Sequence, residues 1–326
     1  MGQRANLIVK RDGRWRLYYD HWCANRLDTE LFWGPQLARQ FIEQREAGDD
    51  SNWLDEVWCE GAAVLDFDAH LLLFFGGEDI LWDVPLRRAH LSLMAQLWPG
   101  WEIRWAHEGI VTIGTYVGRP AEAFLSDREP DPEERFRVET EHPGENRTLL
   151  TDTAHGVASV RRVTGDEESL QLGPTALAVL GEVAGTDRLA WQGEMPTGGL
   201  HVDFDRKTLG FWWSQPTPAI MDRVAAAWPG WEVSWFHDRF EAHIEWTGLD
   251  ILLPERPLAE LQAARIDSLR HCCHRKALNL ARELGPIIGT ETINPATDEA
   301  RGSVGDESEK LRILAELSRN FAKMSN

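Results

Sequence analysis

Apolar and polar positions first alternate along "NLIVKRDGRWRLYYDHW", with Asp-Gly at the centre, and that period of two predicts a β-hairpin. The period then changes. After Gly34-Pro35, Leu37, Phe41 and Ile42 recur at the spacing of one helix face, and proline suits a first helical turn. "VLDFDAHLLLFF" at 64–75 returns to strand-like runs around a tight turn at 68–71. Residues 85–98 carry Leu86, His90, Leu93, Leu97 and Trp98 at helical spacing, and Pro99-Gly100 stops that helix. A strand at 101–107 follows at once. Glu108-Gly109 then reads as a turn into "IVTIGTYVG", the partner strand of a closing hairpin.

The same order returns later in the chain. "WPGWEIRWAH" at 98–107 and "WPGWEVSWFH" at 228–237 agree at seven of ten positions. Asp66-Phe67-Asp68 matches Asp203-Phe204-Asp205, and Gly34-Pro35 matches Gly173-Pro174. "RTLLTDTAHGVASVRRV" repeats the opening hairpin, and Ile220, Val224, Ala227 and Trp228 repeat the second helix. The offset shrinks from 139 to 137 to 130, a drift that insertions and deletions in surface loops produce. The chain therefore reads as an internal duplication, in which Trp101 superposes on Trp231 and Asp66 on Asp203. Trp101, Ile103 and Trp105 share one strand face, as do Trp231, Val233 and Trp235. Both stripes are expected in the core, with Trp101 and Trp231 largely buried.

Between the repeats, "SDREPDPEERFRVETEHPGEN" at 126–146 is charged, proline-rich and without apolar periodicity, as a linker is. After Leu253 an amphipathic helix runs to Gly285-Pro286 with Leu258, Leu261, Leu269, Cys273, Leu280 and Leu284 on one face. A last helix at about 306–323 carries Leu311, Leu314, Leu317 and Phe321. The expected fold is α+β: two tandem similar halves, each an antiparallel sheet with helices on one face, plus a C-terminal helical extension. The boundaries are 1–125, 126–146, 147–253 and 254–326. A duplicated surface can complement itself, so the halves are expected side by side as a pseudo-dimer within one chain.

Composition narrows the partners. The net charge is −19 and the isoelectric point about 5.0, which disfavours nucleic-acid phosphates and anionic membranes and suits a basic protein partner. Four cysteines form no CxxC pair, the N-terminus lacks a secretory signal pattern, and "HLLLFFGG" is too short to span a bilayer, so a reduced, cytoplasmic setting is expected. Sixteen tryptophans against three tyrosines supply large aromatic area for cores and for interface anchors.

Candidate chemistry is sparse. Asp66 and Asp68 share a strand face, as do Asp203 and Asp205, and paired carboxylates can hold a metal or move protons; at a tight turn they cap backbone N–H groups instead. His107 and His237, matched at strand ends, join Asp66 and Asp203 as an alternative polar site between the halves. "HCCHRK" at 271–276 has ligand types, but its positions diverge around a helix, so no metal is expected. "YYDHWCANRLD" at 18–28 has no counterpart in the second repeat; Cys23 beside His21 raises a nucleophile reading, while Tyr18, Tyr19, His21 and Trp22 raise a binding one. "EAGDDSNWLDE" at 46–56 sets Trp53 among five acidic residues, and Asp49, Asp50, Asp55 and Glu56 complete the expected partner surface. No phosphate-binding, dinucleotide, zinc-protease or serine-hydrolase motif occurs, and no cofactor is expected.

The acidic balance, the repeats "WPGWEIRW" and "WPGWEVSW" and the missing catalytic signature together resemble bacterial immunity proteins that neutralise polymorphic toxins. The resemblance implies a non-catalytic antitoxin whose acidic, aromatic surface occludes a basic toxin domain. Two other readings remain open. One is an enzyme or small-ligand-binding protein with its site between the halves. The other is a scaffold whose C-terminal helices dock on a larger assembly.

Overall fold

The computed structural model describes residues 3–127, 129–139, 147–274 and 305–324. In the first half the strands are β1 (Ala5–Arg11), β2 (Arg14–Asp20), β3 (Glu46–Ala47), β4 (Gly61–Asp66), β5 (Leu71–Phe75) and β6 (Glu102–Trp105). They form one sheet in the order β3-β2-β1-β4-β5-β6. The helices between them are α1 (Leu27–Glu30), α2 (Pro35–Glu43), α3 (Glu78–Trp82) and α4 (Val84–Leu97), and α5 (Ile110–Tyr116) follows β6.

The second half repeats this order. Its sheet runs β13-β12-β11-β8-β9-β7, from β7 (Arg137–Val138), β8 (Arg147–Ala154), β9 (Val157–Thr164), β11 (Gly198–Asp203), β12 (Thr208–Trp213) and β13 (Glu232–Trp235). Its helices are α6 (Glu167–Leu170), a 3-10 segment at Gly173–Gly181, α7 (Ile220–Ala227) and α8 (Phe240–Thr247), and β10 (Arg188–Ala190) pairs with β14 (Asp250–Leu252). The C-terminal part holds α9 (Leu258–His274) and α10 (Glu307–Met324).

The α+β class and the two similar halves are as the sequence predicts, and the matches extend to single hydrogen bonds. Asp66 accepts from the N–H groups of Asp68 and Ala69, and Asp203 from those of Asp205 and Arg206. Asp68 then accepts from Asp12 and Gly13 in the facing turn, and Asp205 from His155 and Gly156. Trp98 donates its indole N–H to Phe32 O at 3.3 Å; Trp228 donates to Leu170 O at 2.8 Å. Gly34 and Gly173 both have positive φ, and a Cβ there would lie 2.9 Å from Leu97 O or 2.4 Å from Ala227 O. Each glycine lets the chain pass beneath the end of a tryptophan-capped helix.

Four expectations are corrected. The sheets are mixed: β1–β2 and β4–β5 are antiparallel, but β1–β4 and β5–β6 are parallel, and the second half does the same. Hairpins are local pairings, whereas α4 carries the chain from β5 back to the start of a parallel neighbour. "IVTIGTYVG" is the helix α5, not a strand; Ile110, Val111, Ile113 and Gly114 are its buried face. Helices also cover both faces of the central strands. Every residue of β4 and β5 is buried, and the second half has two separate clusters, one with Phe211, Val224 and Trp228, the other with Leu149, Trp191 and Ile244.

Finally, Trp101 and Trp231 are only partly buried, because each precedes a sheet-edge strand; the fully buried places go to Trp98 and Trp228. The rings still meet edge to face, at 5.3 Å for Trp98–Trp101 and 5.0 Å for Trp228–Trp231.

The C-terminal helices are built into the first half. Ile266 and Leu269 of α9 and Leu314 and Leu317 of α10 join its core. Buried Arg265 reaches Asp28 at 2.6 Å and His90 at 3.0 Å. Leu280, Leu284 and Gly285-Pro286 lie outside the described residues. Among the described residues no helix is long and apolar enough to cross a membrane.

Candidate functional site

The ends of the two matching decamers meet. His107 follows β6, His237 follows β13, and their rings lie 4.7 Å apart with planes inclined by 33°. Trp235 sits 4.4 Å from His237. Beside them Arg87 of α4, wholly buried, donates to Ile80 O at 3.0 Å, to Ser214 O at 2.8 Å and to the Asp238 carboxylate at 2.7 Å. Its guanidinium also stacks 4.5 Å from the Trp105 ring. Arg88 pairs with Glu241. A first-half helix thus holds the second half through buried charge.

Burial forces the junction histidines toward the neutral form: His107 falls to about 4, and His237 is lowered too, with Arg239 adding to the effect. For Asp238, burial alone would raise the carboxyl, but Arg87, His107 and Arg88 together outweigh it and hold the group below the usual range. One core layer adds to this pattern. Thr151 Oγ1 lies 2.9 Å from His201 Nδ1 and 2.8 Å from His243 Nε2, and Trp212 donates to His243 at 3.1 Å. The first half fills the corresponding places with Ile8, Val64, Ile113 and Phe75. His243, sealed from water, is lowered to about 3.

A histidine lowered in the folded state binds fewer protons there than in the unfolded chain. Stability therefore falls as pH drops from the unfolded value near 6.5 toward about 4. Denaturant midpoints measured between pH 7 and pH 4 should decline across that window. His107→Phe should flatten the decline; an unchanged slope would remove His107 from the account.

Asp66 and Asp203 do not join His107 and His237. Each anchors the turn of its own half, at the far end of β4 or β11, and Asp66 also takes Lys10 at 2.8 Å and Tyr116 at 2.7 Å. The alternative polar site is thus split, with only its histidines brought together. Cys23 is buried with its thiol pushed far up by desolvation, the opposite of an activated nucleophile. Within "HCCHRK", Cys272 is exposed and Cys273 half-buried, while Arg275 and Lys276 lie outside the described residues. No group of three or more His, Cys, Asp or Glu among the described residues could hold a metal ion.

The expected partner surface divides. Tyr18 is buried in the first-half core. Trp53 is half-buried, edge to face with Trp15 at 5.9 Å and Phe124 at 5.2 Å. Tyr19 bonds His21 at 3.0 Å, and Trp53 and Tyr19 line an open groove with Arg4 and Trp58. Asp49 caps the turn at 50–52, Asp50 meets Arg119, and Asp55 accepts from Val57 and Trp58. Glu56 reaches across to Arg223 of α7 at 2.6 Å.

Trp22 remains 48% exposed. Val57 at 46% and Trp58 at 54%, not singled out from the sequence, accompany it. The signal for them was present: an apolar pair in an aperiodic stretch between the acidic loop and β4. The Gln3 backbone bridges to Trp22, and Arg4, next in the chain, stacks 4.6 Å over Trp58.

Val57 also lines a cleft of about 610 Å³ between the halves, while Trp58 lines the groove with Tyr19 and Trp53. Gln3, Asn25, Glu56, Val57, Glu60, Phe75, Glu78 and Trp82 form the first-half wall, and Glu167, Glu168, Gln171, Thr217 and Arg223 the second. Counting Glu129, six carboxylates face one guanidinium. Burial and the neighbouring Asp166 push Glu167 up to about 8. The lining has no histidine; its cysteine, Cys59, has a thiol raised by burial to about 12, and its Ser126 donates to Glu56 at 2.8 Å. No family model matches the chain, and neither a curated protein nor a solved structure matches it.

Proposed function

We propose that the protein binds a basic protein partner without doing chemistry on it, and that it acts in the cytoplasm as an immunity protein occluding a basic toxin domain. One observation carries this reading: of Trp22, Val57 and Trp58, the exposed large apolar residues among those described in the first half, Trp58 lines a groove with acidic-loop residues and Val57 lines a carboxylate-rich cleft. Exposed tryptophans inside an acidic field are what a tight, electrostatically steered interface requires. The cleft supplies negative charge and hydrogen-bond acceptors.

Growth tests it. The reading frames flanking the gene are expressed alone and together with this chain. One of them is expected to encode a basic protein that arrests growth alone, and that is harmless and co-elutes with this chain when both are made. Trp58→Ala with Trp22→Ala should weaken that complex at least about 30-fold, the effect of one interface hot spot or more, with little change in melting temperature. Rescue unaffected by the double substitution, or no growth-inhibiting neighbour, would overturn the proposal.

A further inference from the structure

We infer that the cleft between the halves is a receptor for a guanidinium group, supplied by an arginine side chain of the bound partner. The assignment of the source to the partner rests on the partner-binding reading above; the chemistry of the pocket does not.

Thr217 is the decisive residue. It lines the cleft, is 1% exposed, and its Oγ1 is buried without a hydrogen-bond partner. Asn25 Oδ1, on the opposite wall, is also buried and unpartnered. Folded proteins rarely leave such atoms unmet, and a bound group carrying N–H donors would satisfy both. An amide oxygen accepts and cannot donate, and the carboxylates around it accept as well. The cleft therefore asks for a ligand rich in N–H groups and positively charged.

Several observations favour a guanidinium over an ammonium or a metal ion. Five N–H groups on a rigid plane can reach acceptors on two facing walls, whereas an ammonium is a compact point charge. The Trp82 and Phe75 rings line the cleft, and aromatic faces stack guanidinium. The cleft already holds one arginine, since Arg223 meets Glu56 across the halves at 2.6 Å. Among the described residues no cluster offers three metal ligands. Glu167, whose carboxyl burial raises to about 8, would ionise beside an arriving cation and strengthen its hold.

The test uses the full chain and three blocked amino-acid amides at low salt: N-acetyl-arginine amide, its lysine analogue and its uncharged citrulline analogue. Calorimetry should give saturable binding of the arginine compound, at least fivefold weaker binding of the lysine compound, and none of citrulline. Thr217→Val keeps the shape and removes the unpaired hydroxyl. It should weaken arginine-compound binding at least fivefold while leaving the melting temperature unchanged or raised, which a merely structural role would not do. Saturating arginine compound should also weaken the complex with the growth-inhibiting partner.

Equal binding of arginine and citrulline compounds, or full affinity in Thr217→Val, overturns the inference. A partner complex indifferent to saturating arginine compound overturns the assignment of its source. Absence of binding by the arginine compound sinks the inference alone, because growth rescue judges the partner reading separately.

Discussion

Replacing Trp98 or Trp228 with alanine is expected to cost the folded state about 3–5 kcal/mol each, the range for a fully buried aromatic. Both indoles are essentially without exposure, and each fills the space between the end of a helix and the sheet beneath it. Each also donates its N–H to a backbone carbonyl, Phe32 O or Leu170 O, which truncation leaves unmet in an apolar surrounding. Gly34 and Gly173, pressed against Leu97 O and Ala227 O, leave the neighbouring backbone little room to collapse into the void. Trp101→Ala and Trp231→Ala should cost clearly less, since both rings are only partly buried. Urea titrations of the four variants decide the matter. Equal losses at Trp98 and Trp101 would mean that the helix-capping indoles are not the core anchors.

Arg87→Ala is expected to cost about 3–5 kcal/mol, the effect of removing one partner from a buried ion pair. The guanidinium ties carbonyls at Ile80, Leu81 and Ser214 to the Asp238 carboxylate, so its loss strands acceptors in both halves at once. Asp238 would keep only Arg88, whose side chain is partly exposed. Arg87→Lys should fail to restore stability, because one ammonium cannot replace a planar fork above Trp105. A cycle with Asp238→Asn should show coupling of about 1–3 kcal/mol, as expected within a shared network. If Arg87→Ala and Asp238→Asn add independently, the two halves are not held together by this charge.

The duplication was legible because it is written in residues with few substitutes. Trp98 and Trp228 close helices, Asp66 and Asp203 cap turns, and Gly34 and Gly173 take positive φ where a side chain collides. The error over α5 is equally physical. Ile110, Val111 and Ile113 are β-branched and apolar enough for a strand, yet their spacing also fits one helix face, and packing decided for the helix. Mixed pairing was out of reach, since hydrophobic patterning reports which side of a strand is buried, not which strand lies beside it.

The candidate site was legible only in pieces. Trp22 and Glu56 were visible in aromatic and acidic segments. Asn25 lies in the singled-out segment at 18–28, but Thr217, Glu167 and Arg223 are ordinary residues in ordinary segments, and only tertiary structure brings the four around one cleft. His107 and His237 announced themselves by being matched, but their meeting at the junction depends on how the two halves are set against each other.

The most direct test of the central claim, that an acidic and aromatic surface captures a basic partner, is the association rate of that partner measured against salt. The rate should fall about tenfold or more between about 50 and 300 mM salt, with the dissociation rate far less affected, because screening shortens the reach of exposed charge. An association rate indifferent to salt, or a complex abolished by a chelator, would contradict it.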